Sequence, residues 1–270
     1  MTAEKPLSDG MKTITASSQK YCDEAASHFK RARRVIALTG AGISVESGID
    51  DFRSPGGLWS KYPPEEYATL EAFRRNPEKS WKLFRELGRG LVGRKPNGAH
   101  RVLADLESHG LLRGVVTQNI DNLHQDSGSM QVLEIHGNHR FLHCIGCGDV
   151  SKPPDSLLEE TVLPRCRFCG EVVKPDVVLF GENVRSVAEI EDLLHRCDLI
   201  MVIGTSAQVY PAAALPQQVK SGGGMVYEFN LQKTSLSEGD GDGRMATDYF
   251  FQGSASHMLE LFRERLELAG

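Results

Sequence analysis

The sequence predicts an α/β fold, a Rossmann-like parallel sheet flanked by helices with a smaller zinc-binding domain inserted into it, from three observations. Short, continuously apolar segments alternate with amphipathic ones along most of the 270 residues. That is the pattern of strands buried on both faces between crossover helices. The first strong apolar segment, 35–38, runs straight into Gly40-Ala41-Gly42, the glycine-rich turn that cradles a phosphate. Two stretches, 49–96 and 137–175, break the alternation, and the second carries two Cys-x-x-Cys pairs.

Residues 1–16 are polar and are expected to form a flexible leader. A helix over 17–34 then feeds the strand at 35–38. Within 49–96 the pattern gives a loop and two helices, one over 70–75 and one opened by Asn76-Pro77 with Trp81, Phe84, Leu87 and Leu91 along one side. A helix over 98–108 is closed by Gly110. Further strands are predicted at 114–117, 132–135, 177–180, 199–203 and 225–229, and further helices at 187–196, 211–219 and 256–268. The Gly/Asp-rich run 236–244 reads as a flexible loop. These elements divide into a Rossmann-like domain (17–48, 97–136 and 176–270) and a small domain (49–96 and 137–175).

With 40% hydrophobic and 25% charged residues the chain has the balance of a globular protein. Its net charge of −5 gives no general attraction to nucleic acid or to an anionic membrane. No apolar run approaches the roughly 18 residues of a membrane span, and the N-terminus lacks a hydrophobic signal core, so a cytoplasmic location is expected. Six cysteines are too few for a disulfide scaffold. Four of them, Cys144-x-x-Cys147 and Cys166-x-x-Cys169, are separated by 18 residues, the spacing of two knuckles closing one tetrahedral zinc site. Four thiolates leave no open coordination position, so the ion is expected to be structural. Unligated thiols or a redox pair is the competing reading. Cys22 and Cys197 read as ordinary reduced thiols.

The glycine turn is an incomplete dinucleotide fingerprint, because Val45 stands where a third glycine is usual. By itself it leaves open a tight turn with no ligand. Other strand ends add to it. After 114–116 comes Thr117-Gln118-Asn119-Ile120-Asp121-Asn122-Leu123-His124, a polar cluster at the carboxyl end of a parallel strand, where open α/β sheets bind ligands. The strand at 132–135 delivers His136-Gly137 to the same edge, and a histidine there can serve as a base near neutral pH. Gly204-Thr205-Ser206 offers another phosphate-binding turn, and Asn230 ends the next strand, placed to hydrogen-bond a ribose.

Taken in order, GAGIS with Gly-Ile-x-Asp-Phe-Arg, Thr-Gln-Asn-Ile-Asp, His-Gly, the two CxxC pairs, Phe-Gly-Glu, Gly-Thr-Ser and the terminal-strand Asn resemble the sirtuins, NAD-dependent protein lysine deacylases. The resemblance spans about 35–255. Asp50 departs from it, since many members carry proline there. The resemblance implies that Ala41, Val45, Asp51, Phe52 and Arg53 form the mobile loop over the nicotinamide ribose and diphosphate, with Gly40 and Gly42 of the glycine turn also binding the cofactor. Gln118, Asn119, Ile120 and Asp121 would line the nicotinamide pocket, with Asp121 accepting from the carboxamide. Gly204, Thr205, Ser206 and Asn230 would hold phosphate and adenine ribose, and the segment near Ser254 the adenine. Val178 with Phe180, Gly181 and Glu182 would bind the acyl-lysine peptide as an added strand.

The implied chemistry consumes NAD. The acyl oxygen attacks the anomeric carbon as nicotinamide leaves, His136 takes a proton from a ribose hydroxyl, and Asn119 orients the ribose and a water. The product is O-acyl-ADP-ribose, so the enzyme is an acyl transferase to ADP-ribose. The implied partners are acyl-lysine proteins or peptides, with no direct nucleic acid and no membrane. A Tyr-x-x-Arg pair marks the branch preferring succinyl or malonyl lysine. Aligned on Trp81, those positions hold Phe84 and Leu87, so acetyl or longer apolar acyl groups are expected, with Arg85 and Arg89 nearby. Mono-ADP-ribosyl transfer is the alternative activity. A hydride-transferring dehydrogenase fits less well, since the glycine fingerprint is broken and no acidic residue ends a second strand. A catalytically silent NAD-sensing or zinc-dependent binding module would need a lost base or pocket residue.

Overall fold

The structure, a computed structural model, describes residues 10–18, 20–52, 56–159, 161–239 and 244–268. Among them the strands in chain order are β1 (Lys12–Thr15), β2 (Val35–Thr39), β3 (Val115–Thr117), β4 (Val132–Glu134), β5 (Gly137–His143), β6 (Val150–Ser151), β7 (Lys174–Val177), β8 (Leu199–Ile203), β9 (Met225–Asn230) and β10 (Tyr249–Gln252). The helices are α1 (Cys22–Arg31), α2 (Leu58–Lys61), α3 (Pro64–Tyr67), α4 (Leu70–Arg75), α5 (Pro77–Leu91), α6 (Gly98–Ser108), α7 (Leu123–Asp126), α8 (Val187–Leu194), α9 (Leu215–Ser221), α10 (Ser235–Glu238) and α11 (Ala255–Leu266).

Every residue of β2 and of β8 is buried, which is why their sequences run apolar without alternation. They lie side by side at the middle of a seven-stranded sheet of order β1-β10-β9-β8-β2-β3-β4, parallel at every pairing. One face packs Ala37, Met201, Phe229 and Phe251 against α1, α6 and α11 through Phe29, Leu103 and Phe262. The other packs Ile36, Leu38, Val202 and Val226 against Ile190 of α8 and Leu215 and Val219 of α9. From β2 the chain proceeds outward through β3 and β4. It returns to β8 on the other side and continues outward through β9 and β10. The junction of β2 and β8 is therefore the point where strand order reverses, and ligands of open α/β sheets sit outside the strands' carboxyl ends there.

A second, antiparallel sheet has the order β6-β5-β7. It shares a core with α4 and α5, in which Phe73, Trp81, Phe84, Leu142, Leu179, Cys144 and Cys166 are buried together. Trp81 donates from Nε1 to the Val173 carbonyl at 2.9 Å, fixing α5 on the segment beside the second cysteine pair. Asn76 caps α5 by accepting from the Lys79 N–H, with Pro77 in the first turn.

Three expectations need correction, and one strand was not anticipated. Residues 12–15 are not part of a flexible leader, because β1 adds a parallel edge strand to β10 and buries Ile14. Residues 1–9 of that expected leader lie outside the described residues. The strand expected at 177–180 is instead β7, ending at Val177 in the second sheet, two residues beyond the boundary expected for the small domain. Past it, Phe180 makes only an isolated bridge to Thr69, and Leu179 packs into the third core. The run 236–244 begins as a helix, α10, with Thr234 accepting from the Leu236 N–H as its cap and Leu236 buried. The polar segment following His136 forms β5, which no sequence pattern announced.

Candidate active site

The chain segments that follow β2, β3, β4, β8, β9 and β10 lie at the carboxyl edge of the large sheet. Gly40 and Gly42 lie against Gly204: the Gly42 N–H donates to the Gly204 carbonyl at 2.8 Å, and the Gly40 N–H to Ile203 at 3.1 Å. A Cβ on Gly42 would sit 2.7 Å from the Gly204 Cα, and one on Gly40 2.8 Å from the Thr205 Cβ. Gly40 has a φ of −131°. The glycines are required here by the close approach of two loops, and not by the positive φ usual in such turns. Ala41 and Val45 follow in a 3₁₀ helix, Ala41–Ser47, that leaves Val45 exposed. Asp51 and Phe52 come next, and Arg53 lies outside the described residues.

The loop after β3 is tied into this edge by its own side chains. Gln118 donates from Nε2 to Thr205 Oγ1 at 2.9 Å, joining the ends of β3 and β8. Asn119 is buried and donates from Nδ2 to the Gly40 carbonyl at 3.1 Å and to Ser44 Oγ at 3.2 Å. Ser44 in turn donates to Asp121 at 2.7 Å. Burial pushes the Asp121 carboxyl above the usual carboxylate range, against the hydrogen bonds from Leu123 N–H and Ser44 that lower it. Ile120 packs at the border of the third core, and its carbonyl accepts from the His139 N–H at 3.2 Å.

His136 leaves β4 at the same edge. Its Nδ1 lies 3.0 Å from the Gln118 carbonyl oxygen. A carbonyl can only accept, so Nδ1 carries the proton and Nε2 is the basic nitrogen. Asn230 ends β9 and donates to the Thr205 carbonyl at 3.1 Å. Ser206 is half-buried in the turn after β8, and Ser254 opens α11, whose preceding Gly253 N–H donates to the Asn230 carbonyl at 3.1 Å.

Val178 follows His136 in space, donating from its N–H to the His136 carbonyl at 2.8 Å. Phe180 is 45% exposed, although its N–H and C=O are engaged by Ala68 and Leu70. Those two backbone groups are therefore closed to an added strand. Gly181 is exposed with a φ of 91°. Glu182 turns inward, accepting from the Leu179 N–H at 2.8 Å and pairing at 3.0 Å with Lys174, whose side chain is 1% exposed. It shapes the segment from behind.

A profile of the Sir2 family matches residues 40–211. The chain belongs to the Sir2 family. Among its sirtuin relatives are an NAD-dependent protein deacylase of Thermococcus kodakarensis, 41% identical over 88% of this chain and 93% of the relative, and an NAD-dependent protein deacetylase of Sulfurisphaera tokodaii, 44% identical over 80% and 86%. A solved Sir2 homolog–NAD complex superposes with a TM-score of 0.79 at 37% identity, covering 91% of this chain and 94% of that one. A Sir2 variant solved with a deacetylated p53 peptide and 3′-O-acetyl ADP ribose gives 0.82 at 34%, over 91% and 98%.

The sirtuin's cysteines bear directly on its metal. Sγ atoms of Cys144, Cys147, Cys166 and Cys169 all lie within 4.8 Å of one another, the only such cluster among the described residues. Cys144 and Cys169 are 3.4 Å apart, and Cys147 and Cys166 are 3.5 Å apart. A tetrahedron of thiolates about 2.3 Å from zinc has edges of about 3.8 Å, so the four sulfurs fit that ion. Cys22 and Cys197 are buried elsewhere, their thiols pushed up by desolvation to about 11, which leaves them unreactive.

Several sirtuin residues at the site were not singled out from sequence. Ser44 stands inside GAGIS, yet its bridge from Asn119 to Asp121 needs the fold to be seen. Trp59 lies with ring centroids 5.0 Å from Phe52 and 6.4 Å from Phe180, joining the loop after β2 to the segment after β7. His124 hydrogen-bonds Thr39 Oγ1 at 2.9 Å and stacks edge-on with His100 at 4.9 Å. Among the described residues, no helix is long and apolar enough to cross a membrane.

Proposed function

We propose that this sirtuin is an NAD-dependent protein lysine deacetylase in which His136 is the general base and Asn119 its partner at the ribose. The single observation that carries the reading is the convergence of His136, with its proton fixed on Nδ1, on the edge where the Gly40–Gly42 turn packs against Gly204. That turn is a cradle which any Cβ would fill, as close approach of a diphosphate requires. NAD and ADP-ribose occupy the solved Sir2 relatives, and the residues here suit the same molecule.

Bound NAD supplies an electrophilic anomeric carbon and a leaving nicotinamide. Everything else falls to the chain. Gln118, Ile120 and Asp121 form the pocket for the carboxamide, and the desolvated Asp121 is held in place by Ser44. Gly40, Ala41, Gly42, Val45, Asp51 and Phe52 cover the nicotinamide ribose and diphosphate. Gly204, Thr205, Ser206, Asn230 and Ser254 take the adenosine half. His136 Nε2 removes a proton from a ribose hydroxyl, and Asn119 orients that hydroxyl and a water. Val178, Phe180 and Gly181 meet the acyl-lysine peptide, while Glu182 holds them in shape. We read 49–96 with 137–175 as one small domain, supported by the core that α4 and α5 share with the second sheet, and its zinc as structural.

The acyl group is read as acetyl or a longer apolar chain. Phe84 is buried against Trp81 and Phe73, and offers nothing to a carboxylate. Arg85 donates to the Val162 carbonyl at 3.0 Å and Arg89 to Leu158 at 2.7 Å, so both arginines serve the segment between the cysteine pairs. The test is mass-resolved acyl loss from acetyl-lysine and succinyl-lysine forms of one peptide, each with NAD. Acetyl should be removed the faster. Faster loss of succinyl would overturn the pocket assignment, and transfer of ADP-ribose onto protein without acyl loss would overturn the function.

A further inference from the structure

Glu228 is a carboxylate with 0% exposure in the middle of the large sheet, on β9 between β8 and β10. Burying a carboxylate is unfavourable unless donors surround it. Three neutral donors converge on it: Thr247 Oγ1 gives to Oε2 at 2.8 Å, and Thr234 Oγ1 and Asn230 Nδ2 give to Oε1 at 2.8 and 3.1 Å. Two of them lie beyond β9 in the following segment, and the third is Asn230 itself.

The Asn230 amide also donates to the Thr205 carbonyl at 3.1 Å. A carboxylate and a carbonyl can only accept, so both amide hydrogens of Asn230 are committed to the protein. What Asn230 retains for a ligand is Oδ1, an acceptor. An acceptor suits a hydroxyl, which brings a proton. It does not suit a phosphate monoester, which is largely a dianion at pH 7.

We propose that Glu228 is a positioning and specificity residue: it locks Asn230 with its carbonyl oxygen toward the adenosine ribose, so that the site takes the free hydroxyls of NAD and rejects the 2′-phosphate of NADP. The charge of Glu228, one hydrogen bond behind Asn230, adds repulsion in a poorly solvated place. The proposal rests on the reading of Asn230 as a ribose ligand, and its test separates the two.

Calorimetric affinities for NAD and NADP, and KM and kcat in the peptide-dependent reaction, are measured for the wild-type protein, Glu228→Met, Glu228→Gln, Asn230→Asp, Asn230→Ala and the Glu228→Met/Asn230→Ala double variant. Glu228→Met keeps the volume but accepts nothing. It should weaken NAD about tenfold, the worth of one charge-assisted hydrogen bond. The preference for NAD over NADP should fall by a similar factor, with smaller effects on kcat and on peptide KM. Glu228→Gln, which keeps an oxygen for Asn230, should recover most of the NAD affinity. The double variant should be no worse for NAD than Asn230→Ala, since the two residues act as one unit. Asn230→Asp keeps Oδ1 but cannot donate to Glu228. It should lose NAD affinity even where Glu228→Met fails to fold.

Full NAD affinity and full discrimination in Glu228→Met or Asn230→Asp, with Asn230→Ala impaired, would overturn the locking role. Full NAD affinity in Asn230→Ala would remove the ribose reading and the proposal with it.

Discussion

A backbone carbonyl, that of Gln118, fixes the tautomer of His136, which makes the proposed base dependent on the loop after β3. Replacing His136 by Ala should lower kcat for deacetylation by roughly 10²- to 10⁴-fold, the usual worth of a general base, while the far-ultraviolet circular dichroism stays as in the wild type. Near-normal turnover would remove the residue from that role. Gly42 carries a different kind of requirement. A methyl group there meets the Gly204 backbone at 2.7–2.8 Å, and backbone cannot swing aside as a side chain can. Gly42→Ala should therefore destabilise the protein by about 1–3 kcal/mol and raise KM for NAD, seen as a lower urea midpoint and weaker NAD binding. An unchanged midpoint and affinity would mean that the two loops part freely.

At the scale of elements, the zinc knuckles, the second sheet and α5 form one packed unit, because Cys144 and Cys166 lie in the same core as Trp81 and Leu142. Chelation should accordingly shift Trp81 emission to the red and abolish activity, while the seven-stranded sheet retains its circular dichroism. Unchanged emission after the metal is stripped would uncouple zinc from α5. The same scale shows what could be read from sequence. β2, β8, α4 and α6 are legible because their burial is uniform or strictly helical, and capping or glycine punctuation marks the ends of both helices. β1 and β5 are not, because only Ile14 is buried in the first, and in the second polar residues such as Asn138 and Arg140 interrupt the apolar ones. β10 is four residues long and follows a Gly/Asp run, so its Tyr-Phe-Phe signal lacks the length of a pattern. Motif residues such as His136 and the cysteines were legible as chemistry. Ser44, Glu228 and Lys174 were not, since each acts on partners that only the folded chain brings to it.

Across the whole molecule, a buried polar layer connects β2, β3, α6 and α7 beneath the site. Thr39 donates to Thr117, His124 meets Thr39, and His100 packs on His124 while capping α6 with Asn97. Burial lowers His100 from 6.5 to about 4 and His124 to about 3. Both are neutral in the folded protein near neutral pH. In the unfolded chain they take up protons as pH falls below about 6.5, so stability declines from there toward pH 4, by an amount on the order of 3 kcal/mol for His100 alone. Thermal midpoints should fall steadily between pH 6.5 and 4.5, and His100→Asn should flatten part of that slope; a wild-type midpoint independent of pH over this range would contradict the layer's neutrality. The proposed function draws on both halves together: the Rossmann-like edge would supply the base and the NAD cradle, and the segment running on from the second sheet would present Val178, Phe180 and Gly181 to the peptide. The most direct measurement is nicotinamide release from NAD by the purified protein, with and without an acetyl-lysine peptide, alongside the acetyl lost. Release that requires the peptide and matches acetyl loss one for one is the predicted result. Release that proceeds without the peptide, or without acetyl loss, would contradict the account.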